Sequence, residues 1–152
     1  SILIPKSDTE TLNKINTAIQ AAKVAGVEKW GGKIPANLKT PLRDGDVDRE
    51  DDPNYAGHYF INANSKQKPA IVEPFKVNGQ FKEITDQSRV YSGCYARVSL
   101  NFFGFNSNGN RGIGAGLGNL QFIKDGEPLS GRSNPEADFD EYEYGDDGGL
   151  LD

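Results

Sequence analysis

Residues 89–106 read RVYSGCYARVSLNFFGFN, and this stretch decides the fold class. Side chains alternate between two faces along a β-strand, so the pattern predicts one long strand with a core face and a second face. The core face would carry Val90, Ser92, Cys94, Ala96, Val98, Leu100 and Phe102. The second face would carry Arg89, Tyr91, Gly93, Tyr95, Arg97, Ser99, Asn101, Phe103 and Phe105.

The second face combines two arginines with four aromatic rings. Bases of a single-stranded nucleic acid can each stack on an exposed ring for ~1–3 kcal/mol, while cations follow the phosphate backbone. The alternative is that these rings form a second core under a helix or a loop, because aromatic side chains are mostly packing residues. Two unpaired arginines are costly to bury, and this cost favours an open face that binds single-stranded DNA.

Further basic and aromatic residues come from neighbouring segments, including the loop that holds Trp30 and Lys33. The predicted DNA-binding residues are therefore Arg89, Tyr91, Tyr95, Arg97, Phe103, Phe105, Lys66, Lys68, Arg111, Tyr59, Trp30 and Lys33.

A second strand follows, in which glycines at 112, 114, 116 and 118 alternate with Ile113, Ala115 and Leu117. Bare backbone on one strand face permits tight curvature or the close approach of another element or a ligand. Leu117 and Asn119 stand where a dinucleotide-binding G-x-G-x-x-G motif needs glycine, so that motif is excluded.

Upstream, the sequence predicts a helix over about residues 8–25. Ser7 and Glu10 have the spacing of a capping box, and apolar residues then recur every three or four positions until Gly26 ends the helix. Residues 27–54 hold three prolines and the pair Gly31-Gly32 without a sustained period, which indicates an extended, functional loop. Shorter strands are predicted at 57–64 and 69–73, with a hairpin at 75–84 around Asn78-Gly79.

The loop carries an acidic cluster: Asp44, Asp46, Asp48, Glu50, Asp51 and Asp52. An EF-hand is excluded because Arg49 and Tyr55 stand where the turn glycine and the bidentate Glu belong. Clustered carboxylates can hold catalytic Mg²⁺, so a metal-dependent nuclease using Asp44–Asp52 stays open as an alternative. No arrangement around His58 or Cys94 supports a catalytic triad. We predict no enzyme activity, no metal and no cofactor.

Charge is unevenly distributed along the chain, whose net charge is −5. Residues 133–152 contain eight acids and no base, so removing them from the total of 22 acids leaves 14 against 17 bases in residues 1–132, or +3. A segment with so few aliphatic residues cannot bury enough surface to order itself, and we predict a disordered acidic tail at 133–152. Its predicted partner-binding residues are Asp138, Asp140, Glu141, Glu143, Asp146 and Asp147.

The single Cys94 cannot form an intramolecular disulfide, and no signal peptide or apolar run of about 20 residues is present. We therefore expect a cytoplasmic protein, in the host cytoplasm if it is encoded by a phage, that does not enter the membrane. The sequence opens with Ser1-Ile2-Leu3-Ile4-Pro5, which is typical of the end of a strand, and this start predicts an upstream strand that the chain lacks.

Several longer strings resemble one known family: Ile4–Asp8, Pro41–Asp46, Tyr59–Ala63, Tyr91–Tyr95, Asn108–Asn110 and Asp125–Leu129. With them the chain is similar to the phage single-stranded DNA-binding proteins of OB-fold type over residues 4–132. The resemblance implies an OB-fold β-barrel that coats single strands with little sequence preference in phage DNA replication or recombination. It also implies that the tail recruits phage or host replication and recombination proteins.

The sequence thus predicts a mainly β fold, an OB-fold-like β-barrel with one amphipathic helix and a long acidic loop. Residues 1–132 would form the single-stranded DNA-binding domain and residues 133–152 the tail. A phage structural or adaptor protein whose tail does the work is the second alternative. The sequence does not predict the oligomeric state.

Overall fold

The computed structural model describes residues 1–129 and contains seven strands and two α-helices within them. Their bounds are β1 Ile2–Pro5, α1 Thr9–Ala25, β2 Leu42–Asp44, α2 Gly45–Asp48, β3 His58–Ile61, β4 Ile71–Val77, β5 Gln80–Glu83, β6 Tyr95–Ser107 and β7 Asn110–Lys124. Three short 3₁₀ helices lie at Val27–Trp30, Pro53–Tyr55 and Gln87–Arg89. The predicted tail lies outside the described residues.

The predicted amphipathic helix is confirmed, and α1 starts one residue later than predicted, at Thr9. Its N-cap residue is Asp8, whose side chain accepts a hydrogen bond from the Thr11 N–H, so the predicted Ser7–Glu10 capping box is wrong. An aspartate cap satisfies one of the free amide groups of the first turn equally well. The buried face of the helix consists of Leu12, Ile15, Ile19 and Ala22.

The first sheet, sheet A, has the strand order β1-β3-β2, and both outer strands run antiparallel to β3. Strand β2 comes from the segment predicted to be a loop. That segment, residues 27–54, also contains α2 and a 3₁₀ turn, so the prediction of one extended loop is wrong. The side chains of Asp44 and Asp52 cap two of these short elements, and β2 pairs with β3. These contacts stabilise the elements without producing a periodic pattern in the sequence.

The acidic cluster is engaged in local ion pairs and caps. The Lys6 ammonium lies 2.7 Å from a carboxylate oxygen of Asp44 and 2.7 Å from one of Asp46, and Arg43 Nε lies 3.2 Å from Asp48 Oδ2. The hydrogen bond from Lys6 lowers the pKa of the Asp46 carboxyl. Within residues 1–129 no group of three or more His, Cys, Asp or Glu side chains is arranged as metal ligands.

The second sheet, sheet B, has the order β5-β4-β7-β6. The predicted hairpin at Asn78-Gly79 is confirmed, since both residues have positive φ, 53° and 80°, as a two-residue turn of this kind requires. The predicted strand over 89–106 is only partly right: β6 starts at Tyr95, after a 3₁₀ turn and a bend at Gly93, where φ is 117°. Arg89 and Tyr91 therefore do not lie on this strand.

Strand β7 is the centre of the molecule because both of its edges are paired. One edge pairs with β6 over almost its whole length. The other edge is met by three successive segments, namely Lys39 at Gly112, Asn64 at Gly116 and β4 at Leu120–Gln121. The mainly β, OB-like prediction is confirmed, although the described strands form two linked sheets and no closed barrel.

Helix α1 and both sheets share one core. Ile4 and Ile61 of sheet A, Ala115 of β7 and the buried face of α1 form one cluster of buried side chains. Trp30 extends this core with Ala22 and Ile113, and its exposed fraction is 6%. Close packing there depends on Gly26 and Gly104, because a Cβ at Gly104 would lie 2.9 Å from the indole ring. None of the described helices is long and apolar enough to cross a membrane.

Candidate nucleic-acid interface

The β6–β7 ribbon has two chemically different faces. Leu100, Phe102, Ile113 and Ala115 face the core beneath α1. The opposite face carries the odd positions of β6 and the even glycines of β7, and the register pairs Phe103 with Gly114. The alternation that the sequence predicts is thus present from Arg97 onward, whereas Ala96, predicted for the core face, is exposed beside a register shift at Tyr95.

Two phenylalanine rings lie across the glycines of β7. A Cβ built on Gly114 would lie 2.7 Å from Cζ of Phe103, and one built on Gly112 would lie 2.8 Å from Cζ of Phe105. Both separations are too short for real carbon atoms, so any side chain at these positions would displace the ring. The glycine face predicted to admit the close approach of another element is occupied by these aromatic rings.

The rings form the floor of a groove of about 730 Å³. Two neighbouring segments line the groove along the edge of β7 that faces away from β6, namely residues 41–43 and the segment that follows β3, from Asn62 to Lys66. Both segments are fixed to β7 by backbone hydrogen bonds: the Ile113 N–H donates to the Lys39 carbonyl at 2.8 Å, and the Leu117 N–H donates to the Asn64 carbonyl at 2.8 Å. The groove is therefore built into the backbone pairing of the fold.

Within residues 1–129, the lining of the groove is aromatic and basic and contains no acid. It consists of Pro41, Arg43, Asn62, Asn64, Ser65, Lys66, Asn101, Phe103, Phe105, Ile113, Gly114, Ala115, Gly116 and Leu117. The guanidinium of Arg43 also lies 5.2 Å from the ring centre of Phe60, and its Nε donates to Asp48 at 3.2 Å, so the side chain is held at the groove and shares its charge with an acid. Phe103 is 44% exposed, and its ring lies across the backbone of Gly114.

The groove changes from apolar to polar along its length. Phe103 and Phe105 lie at one end, and the amides of Asn64 and Asn101 lie towards Gly116. A planar base can stack at the first end, while amide groups can donate and accept hydrogen bonds at the second.

Some of the predicted site residues lie in or beside this groove. Phe103, Phe105 and Lys66 line it. Arg97 is exposed and belongs to the same strand face, four residues before Asn101. Lys33, Lys68 and Arg111 are exposed and do not line the groove.

Other predicted residues have structural partners elsewhere. Arg89 forms an ion pair with Glu73, and the Tyr91 hydroxyl donates to Asp125 at 2.9 Å and accepts from the Gly126 N–H at 3.0 Å. Burial raises the pKa of the Tyr91 hydroxyl. Arg89 and Tyr91 thus fasten the segment that precedes β6 to β4 and to the residues that follow β7, away from the groove.

The remaining three aromatics differ in exposure. Tyr59 packs against the core cluster of sheet A, with the Lys6 ammonium 5.1 Å from its ring centre. Trp30 is buried, and its indole N–H donates to the Phe105 carbonyl at 2.9 Å. Tyr95 is 56% exposed but lies outside the groove, with the Lys124 ammonium 4.8 Å from its ring centre. Of these rings only Tyr95 is available for stacking without unfolding part of the core.

Sequence reasoning missed most of the polar lining. Asn101 could have been found, because it shares the alternating face with Phe103. Asn62, Asn64 and Arg43 carry no such signal, because they reach the groove through parallel bridges between distant segments.

Comparison with known proteins gives one family. The family described as "Enterobacter phage Enc34, ssDNA-binding protein" matches residues 1–149 of this chain. Among curated relatives, protein p50 of Acyrthosiphon pisum secondary endosymbiont phage 1 is 32% identical over 162 residues, which cover 99% of this chain and 82% of that protein.

Solved structures share the fold. The single-stranded DNA-binding protein from bacteriophage Enc34 in complex with ssDNA has a TM-score of 0.69 and 24% identity, over 84% of this chain and 71% of that one. A second structure of the single-stranded DNA-binding protein from bacteriophage Enc34 has a TM-score of 0.66 and 21% identity, over 89% of this chain and 74% of that one. At this identity the likeness shows a common fold.

Proposed function

This chain belongs to the family of the Enterobacter phage Enc34 ssDNA-binding protein, and from that premise we propose that it binds single-stranded DNA in the groove above Phe103 and Phe105. One observation carries the proposal: two partly exposed rings rest on a glycine floor inside a groove whose lining has cations and no acid. The family is one of DNA-binding proteins, and binding in the groove involves no chemical step.

Stacking explains the selectivity for single strands. Bases in a single strand can offer their π-faces to Phe103 and Phe105, whereas duplex bases are already stacked on each other. Every base has such a face, so this mode of binding carries little sequence preference. Arg43 and Lys66 both line the groove, where they would neutralise phosphates of the bound strand.

The exposed cations around the groove extend the positive field. We propose that Arg97, Arg111, Lys33 and Lys68 contribute to it, and that Tyr95 offers a further ring outside the groove. Arg89, Tyr91, Tyr59 and Trp30 are left out of the proposed DNA contacts because each is engaged in the fold.

The acidic segment supports a second part of the proposal. With eight acids and no base in residues 133–152, it can compete with phosphates for the basic groove, and it can also recruit phage or host replication and recombination proteins. Such a protein would act in the host cytoplasm, coating single strands during phage DNA replication or recombination.

A fluorescence-anisotropy titration tests the proposal. A labelled oligothymidine and a duplex of matched length are titrated at two salt concentrations, with Mg²⁺ present in a parallel sample. We expect tight binding of the single strand, weak binding of the duplex, and a log-log salt slope of about −0.7 for each phosphate neutralised. Equal affinity for the duplex would contradict stacking, and degradation of the oligonucleotide with Mg²⁺ would favour the nuclease alternative.

The same titration with residues 1–132 tests the role of the tail. We expect a higher affinity than the full chain has at low salt, and a smaller difference at high salt, where charge interactions are screened. A full-length control with the six predicted tail acids replaced by Asn or Gln separates charge from length. Unchanged affinity in both variants would contradict competition by the tail.

A further inference from the structure

The β4–β5 hairpin exposes more apolar surface than its role in the fold requires. It pairs with β7 at Ile71 and Val72, and beyond that point Phe75, Val77 and Phe81 are 50%, 51% and 46% exposed. Several large exposed apolar side chains within seven residues indicate a binding surface, whereas single ones are ordinary.

The register of sheet B relates this hairpin to the groove. Arg97 and Phe103 share one face of β6, since exposed and partly buried residues alternate between them even though the pairing with β7 shifts between Val98 and Leu100. Arg97 pairs with Gln121 of β7, and Gln121 also pairs with Val72 of β4. Because directly paired residues lie on the same face of a sheet, Val72 lies on the face that carries the groove.

The same relation continues to the hairpin's outer strand. Val72 pairs with Glu83 of β5, and Phe81, two residues away along β5, lies on the same face, although the register of β4 shifts between Val72 and Lys76. Phe81 in turn pairs with Lys76. The Lys76–Phe81 pair therefore lies on the groove face of sheet B, while Phe75 lies on the opposite face of the hairpin.

Lys76 and Phe81 repeat the chemistry of the groove. The Lys76 ammonium lies 4.9 Å from the ring centre of Phe81, and the ring remains 46% exposed. Of the two acids in the hairpin, Glu73 forms an ion pair with Arg89, and Glu83 lies two residues from Phe81 on the same face. An exposed ring with an adjacent cation suits a base with its phosphate better than it suits the apolar core of a protein interface.

We propose that the hairpin is a second stacking site for the same DNA strand, which leaves the groove, crosses Arg97 and reaches Lys76 and Phe81. The proposal rests on the proposed function and extends it. Strands lie ~4.8 Å apart, so three strand spacings place the hairpin ~14 Å from β6 across the sheet. A short oligonucleotide would fill the groove alone, and a longer one would contact both sites.

Length dependence of binding tests this proposal in the full chain. Wild type, Phe81→Ala and Phe75→Ala are titrated with oligothymidines of about 5 and about 16 nucleotides, which bracket the site sizes of OB-type folds. We expect Phe81→Ala to weaken binding of the longer oligonucleotide about 5- to 150-fold, the value of one lost stacking contact, and to leave the shorter one unaffected. The Phe75→Ala variant removes an equally exposed ring from the opposite face and should bind both like wild type.

Lys76→Gln provides an independent variant that keeps the ring. It should reduce the salt slope for the longer oligonucleotide by about 0.7 and leave the slope for the shorter one unchanged. Equal affinity of wild type and Phe81→Ala for the longer oligonucleotide would overturn the proposal while leaving groove binding intact. A self-association of the free protein that Phe81→Ala abolishes would also overturn it, by assigning the hairpin to a second copy of the chain.

Discussion

A Phe103→Ala variant is expected to bind single-stranded oligothymidine about 5- to 150-fold more weakly than wild type, with its melting temperature nearly unchanged. Loss of one base-aromatic stacking contact corresponds to ~1–3 kcal/mol, and tenfold in affinity corresponds to about 1.4 kcal/mol. Stability should change little because the ring is 44% exposed and rests on glycine backbone outside the core. Anisotropy titration and thermal unfolding measure the two quantities on the same sample.

Tyr95→Ala is the matched control for this variant. Tyr95 is an exposed ring on the same strand, but it lies outside the groove and beneath the Lys124 ammonium. The groove account predicts a much smaller loss of affinity than Phe103→Ala shows. If both variants lost affinity equally, the whole aromatic strand would be the contact surface, and a large loss of stability in Phe103→Ala would place its ring in the core.

Trp30→Ala is expected to lose stability and to keep its affinity for single-stranded DNA, the reverse of what Phe103→Ala should show. Truncation of a buried Trp costs ~3–5 kcal/mol of unfolding free energy, because it leaves a cavity as well as losing apolar burial. Trp30 is 6% exposed, contacts Gly26 and Gly104, and donates its indole N–H to the Phe105 carbonyl. Urea denaturation at equilibrium should reveal this loss, while the folded fraction keeps its affinity for single-stranded DNA within a few fold.

Trp30→Phe separates packing from the hydrogen bond. It retains most of the buried apolar surface and removes the N–H donor, so we expect a loss of about half that of Trp30→Ala or less. A Trp30→Ala protein as stable as wild type but unable to bind DNA would show that the indole contacts the nucleic acid directly.

The sequence predicted the parts of the fold whose signals are local. The apolar spacing of Leu12, Ile15 and Ile19 produced the helix, and Asn78-Gly79 fixed a hairpin, because a turn with positive φ at both positions selects these residues. The aromatic face of β6 was also predictable, since alternation in a strand depends only on neighbouring positions.

What the sequence could not predict depends on contacts between distant segments. Nothing in residues 27–54 shows that Leu42–Asp44 pairs with β3, or that Lys39 is bonded to Gly112. The walls of the groove follow from those pairings, and for that reason Arg43 and Asn64 were not among the predicted site residues. Trp30 was assigned to the groove on residue type alone, and only the packing at Gly104 shows that it belongs to the core.

Photo-crosslinking tests the central claim most directly, because it reports which side chains contact a base. An oligothymidine in which 5-iododeoxyuridine replaces single thymidines is irradiated in complex with the full chain, and crosslinked peptides are mapped by mass spectrometry. The account predicts crosslinks at Phe103 or Phe105. Crosslinks confined to Tyr95 or to the acidic segment Asp44–Asp52, with none at either phenylalanine, would contradict it.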